Sequence, residues 1–95
     1  MMAILKRKSS SGIISSIRHA EDAIRQLLAQ GVDVVGVSVK GGTPVINISR
    51  CHVCDKLIRE GKAAYVKFGN SHSGMYRQGV FKSHGCRVVW SERLI

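Results

Sequence analysis

One proline, five aromatic residues and six acidic side chains are all this 95-residue chain has of each. A single proline excludes a Pro-rich linker, and 44% hydrophobic with 22% charged residues places the sequence among globular and not disordered chains. No apolar run approaches the roughly 20 residues that cross a bilayer. The opening Met1-Met2-Ala3-Ile4-Leu5-Lys6-Arg7-Lys8 sets apolar before basic residues, the reverse of an export signal. These features predict a cytoplasmic protein with no membrane partner. The three cysteines, an odd number, argue against a disulfide framework. There is no G-x-S-x-G, Walker loop or G-x-G-x-x-G, and the acids are not paired for proton transfer, so an enzyme is not expected. The length suits one domain, residues 1–95, small enough that a metal or a homodimer contact would usefully supplement its core.

Charge of one sign dominates. Fifteen Lys and Arg against six Asp and Glu leave a net +9, which favours encounter with nucleic acid or another acidic partner. From Gly61 through Ser91 there is no acid, while Lys62, Lys67, Arg77, Lys82 and Arg87 all occur, and these five are the candidate contacts for such a partner. The competing reading is a set of solvated charges that keep a small protein soluble.

Periodicity predicts an α+β fold: one amphipathic helix packed on a small antiparallel sheet. Residues 1–12 read as a basic arm, with Lys6-Arg7-Lys8 a flexible phosphate contact and Ser9-Ser10-Ser11-Gly12 a helix cap. Ile13, Ile14, Ile17, Ala20, Ile24, Leu27 and Leu28 recur at three- and four-residue spacing, so a helix is expected over 13–30, stopped by Gly31. Residues 32–49 read as a β-hairpin turning at Gly41-Gly42-Thr43, with Val35, Val37 and Val39 on one face. Beyond it the expectation is a short helical turn near 55–60, a strand over 63–68, a loop from Gly69 to Gly74 and one or two strands up to Trp90. Most of Tyr65, Phe68, Tyr76, Phe81 and Trp90 are expected in the core, against an alternative in which they stack on bases between the cations.

The cysteines form Cys51-His52-Val53-Cys54 and His84-Gly85-Cys86, a C-x2-C and an H-x-C separated by twenty-nine residues. Cys51, Cys54, His84 and Cys86 together are the four ligands a structural zinc ion takes, with His72 in reserve for His84, and residues 51–90 would then be a zinc-knuckle β-hairpin half. A site closed by three thiolates and an imidazole leaves no position for a reactive water. Unligated buried thiols and a thioredoxin-like redox pair are the alternatives; the latter lacks its βαβ frame and facing proline.

The order of a basic start, an amphipathic helix, the hairpin GVDVVGVSVKGGTPVINIS, then CHVC and a late HGC in a chain of this size resembles the small early regulatory proteins of temperate phages and their satellites. Among these it is most similar to the epsilon derepression proteins. The resemblance implies an antirepressor, acting in the host cytoplasm, that binds a transcriptional repressor and relieves repression, and it carries over no partner-binding residue. The alternative is a basic, zinc-containing protein that contacts DNA or RNA through residues 61–91.

Overall fold

The computed structural model describes residues 2–39, 42–72 and 74–94, with side chains from residue 12 onward. Helix α1 (Met2–Ala29), strands β1 (Val34–Ser38) and β2 (Val45–Ile48), helix α2 (His52–Arg59) and strands β3 (Ala64–Ser71), β4 (Gly74–Ser83) and β5 (Cys86–Arg93) follow in that order. The strands form one sheet, ordered β1-β2-β5-β4-β3. The α+β class holds, with two differences from expectation. A second full helix follows the first hairpin, and β2 runs parallel to β5, so the sheet is mixed. Among the described residues no helix is long and apolar enough to cross a membrane.

Helix α1 ends where its glycine predicts. Gly31, at φ 79°, donates its N–H to the Leu28 carbonyl, and Val32 donates to the Leu27 carbonyl at 3.0 Å, the paired closure of a left-handed C-terminal cap. Leu27 and Val32 are both buried beneath it. The start is corrected: the backbone is helical from Met2, through the segment expected to be an arm and a cap, because no proline interrupts it and serines only weakly disfavour helix. The side chains of Lys6, Arg7 and Lys8 lie outside the described residues, as does Gly41 of the expected turn.

The face that meets the sheet also differs. Among the described side chains of α1, Ser16, Ala20, Ala23 and Leu27 are the buried ones, whereas Ile13, Ile14, Ile17 and Leu28 are about half exposed. Small side chains bring the helix close to β1, β2 and β5, and the Ser16 hydroxyl donates to the Gly42 carbonyl at 3.1 Å, pinning the helix to the hairpin turn. A bulge at Val35 breaks the expected β1 alternation, leaving Val37 opposite Ile46 and Val35 66% exposed. Under the helices lie Ile46, Ile48, Cys86, Val88 and Trp90, with Val53 and Ile58 of α2 packed against the same core.

At its far end the core is closed by Glu92. Its carboxylate accepts from the Tyr65 hydroxyl (2.9 Å), the Trp90 indole N–H (2.8 Å) and Arg77 Nε (3.1 Å), which ties β3, β4 and β5 together. Burial pushes this carboxyl up, but the hydrogen bonds from Trp90, Tyr65 and Arg77 outweigh it and hold Glu92 below the ordinary glutamate value. Trp90 packs against Gly79 directly opposite it, where a Cβ would lie 2.2 Å from the indole. Trp90, Tyr65 and Phe81 are core or half-buried as expected, and Phe68 is 65% exposed.

Candidate nucleic-acid interface

Strand alternation sorts every side chain of the sheet to one of two faces. Both helices cover one. Registers across the five strands place Val45 and Asn47 of β2, Arg87, Val89, Ser91 and Arg93 of β5, Tyr76, Gln78, Val80 and Lys82 of β4, and Ala64, Lys67 and Gly69 of β3 on the other. None of these side chains is buried. Four cations, Lys67, Lys82, Arg87 and Arg93, therefore stand on an uncovered sheet surface of neutral polar and small apolar residues.

No acid accompanies them. Glu21 and Asp22 lie on α1, Asp33 precedes β1, Asp55 and Glu60 belong to α2 and its end, and Glu92 faces the core side of β5. The ion pairs follow this division: Glu21 with Arg25, Asp55 with Arg50, Glu60 with Lys62, and Glu92 with Arg50 and Arg77. Among the described residues no acid pairs with Lys67, Lys82, Arg87 or Arg93. Lys82 and Arg87 are moreover direct cross-strand partners. Like charges so placed repel, a cost that an anion bound between them removes.

Of the five cations expected from the acid-free stretch, Lys67, Lys82 and Arg87 share this face. Lys62 joins them from the turn after α2, on the rim of a groove of about 860 Å³ that Lys82 and Arg87 also line. Arg77 does not belong. It points to the core side, 3.8 Å above the Tyr65 ring and bonded to Glu92. Arg93 was missed. Tyr76, the aromatic residue of the open face, lies over Gly69 of the neighbouring strand.

The expected zinc ligands come from the start of α2 and from the β4–β5 turn, with Cys54 and Cys86 both in the buried core and Cys51 packed against it. Cys51 and Cys54 are neighbours at the start of α2, where burial first, and then Cys51, push the Cys54 thiol up to about 11. Cys86 is fully buried, its thiol donates to the His84 carbonyl at 3.7 Å, and burial, then Asp22, raise its pKa. His84 itself is exposed, with Nδ1 3.0 Å from the Ser83 hydroxyl. His72 is exposed in the β3–β4 turn. Among the described residues no three His, Cys, Asp or Glu side chains gather to hold a metal ion.

The geometry of H-x-C has another explanation. His84 (φ 51°) and Gly85 (φ 75°) both take left-handed backbone between the paired residues Ser83 and Cys86, which makes them the two-residue turn of a β-hairpin. Glycine adopts that conformation freely, and histidine is among the residues enriched there.

Neither a curated protein nor a solved structure matches the chain. A family model described as an uncharacterised protein matches residues 6–93, and the chain belongs to that family.

Proposed function

We propose that this protein binds nucleic acid through the open face of its sheet, with Lys67, Lys82, Arg87 and Arg93 neutralising phosphates and Lys62 extending the contact into the adjoining groove. One observation carries the reading. Among the described residues no acid pairs with any of the four cations of this face, and two of those cations stand in direct cross-strand opposition. Such a surface meets a polyanion without a compensating repulsion. With Tyr76 as the ring on the face, base stacking is a minor part of the contact, and binding is tolerant of sequence.

The test is fluorescence anisotropy with labelled single-stranded and duplex oligonucleotides over a salt series. Four phosphate contacts give a log–log slope of about −2.8 for single strands or −3.6 for duplex. Charge reversal of Lys82 and Arg87 together is expected to abolish binding at moderate salt, and an undiminished affinity in that variant would refute the assignment. The resemblance to phage antirepressors supports a second reading on the same surface, in which the anion is an acidic face of a repressor protein. Capture of the repressor through Lys82 and Arg87, with no shift of any oligonucleotide, would select it.

A further inference from the structure

We infer that two copies of this chain associate through the β1 edge and the adjoining flank of α1. Strand β1 ends the sheet; its residues Val34–Ser38 carry no charge and no proline, two of the devices that protect an edge from pairing, and beyond the bulge at Val35 the stretch 36–38 is in regular antiparallel register. The opposite edge, β3, carries Lys67. Beside β1, on the core side, a shallow apolar trough is lined by Ile17, Ala20, Ile24, Val37 and Val39, with Ile17 52% and Val37 44% exposed. The bulky isoleucines of α1 stand on this flank while its small residues face the sheet, so the helix presents its larger aliphatic side chains outward.

Three features select a second copy as the occupant. Two β1 strands related by a two-fold axis pair antiparallel, the arrangement an isologous interface demands, and their helices then lie on the same side of a ten-stranded sheet with these flanks facing each other. The charged residues at the trough, Glu21 and Arg25, neutralise one another at 2.7 Å, so this is a locally balanced part of a chain that is +9 overall. The area is also suitable. Ile13, Ile14, Ile17, Leu28, Val35 and Val37, each about half exposed or more, leave on the order of 400 Å² of aliphatic surface. That is about half of the roughly 800 Å² per partner of a standard interface, the main-chain edge supplying hydrogen bonds beside it. The two open faces of such a dimer would lie on the same side of the joined sheet, their cations separated by the β2 and β1 strands of both copies.

Sedimentation equilibrium of the full chain measures it. At about 100 µM the wild type is expected at twice the 10.4 kDa of one chain. Ile17→Glu and Val37→Glu, at half-exposed positions where the fold is expected to survive, with circular dichroism as the check, each place a charge in the contact and are expected to raise the dimer dissociation constant more than about tenfold. Phe68→Glu, on the distant hairpin, is expected to change nothing. A wild type that sediments as one chain overturns the inference whatever the variants do, and so does a dimer unaffected by both glutamates.

Discussion

Replacing Lys82 by threonine is expected to make the protein more stable and a poorer binder. In the free molecule Lys82 and Arg87 face each other across β4 and β5 with no acid between them. Like charges in that position cost about 0.2–1 kcal/mol relative to a neutral pair, and a β-branched residue suits an exposed strand better than lysine does. For a domain near 100 residues, where 1 kcal/mol moves the melting temperature by roughly 4–8 °C, the gain is about 1–8 °C. Binding moves the other way. One phosphate contact fewer lowers the salt slope by 0.7 to 0.9, which at 0.1 M salt weakens binding roughly five- to eightfold. Differential scanning calorimetry reads the first effect and anisotropy at several salt concentrations the second, with Arg87→Thr as the mirror variant. A Lys82→Thr protein that melts lower, or that binds oligonucleotide as tightly with an unchanged slope, would show that the pair is not held apart for an anion.

Other consequences are independent of that surface. Gly79→Ala sets a methyl 2.2 Å from the ring of a tryptophan that is 2% exposed, and overpacking there is expected to destabilise by about 1–3 kcal/mol, seen as a lower urea midpoint. Because the folded state holds Glu92 below its unfolded value, its contribution to stability is present above about pH 4.3 and is lost as pH falls through the lower folded value. Glu92→Gln should therefore flatten the acid limb of the stability profile, and an unchanged limb would place the acid sensitivity elsewhere. Elemental analysis of freshly reduced protein tests the four-ligand expectation for Cys51, Cys54, His84 and Cys86: well under half an equivalent of zinc would set it aside. A full equivalent would support it.

Much of the fold was legible in the residues. Gly31 announced the end of α1, the β-branched runs on either side of Gly42 announced β1 and β2, and Trp90 belonged to the core. Choosing the buried stripe of α1 was harder. Ile13, Ile17, Ile24 and Leu28 run beside Ser16, Ala20, Ala23 and Leu27 at the same period, and hydrophobicity favours the isoleucines. Close approach of a helix to a sheet favours the smaller set. The spacing of His84-Gly85-Cys86 suggested only its ligands His84 and Cys86, and the two-residue hairpin turn at His84-Gly85 was not legible because the strands on either side were not delimited.

The cationic face shows why a window counted along the chain was an imperfect guide. Glu92 closed the acid-free stretch and so excluded Arg93, yet successive residues of β5 point to opposite faces, which sends Glu92 to the core and Arg93 to the open surface. The same alternation removes Arg77 from the set although it sits in the middle of the window. A period-two count over β4 and β5 would have selected Lys82, Arg87 and Arg93 together, but the extent of those strands was the part of the sequence least marked by turn residues.

Amide chemical-shift mapping during titration with an oligonucleotide addresses the open face most directly. The perturbed resonances are expected to cluster at Lys67, Gln78, Lys82, Arg87, Val89 and Arg93, with α1 and α2 unaffected away from any interface between copies. Perturbations confined to the helices, with these strand residues unmoved at saturation, would contradict the account.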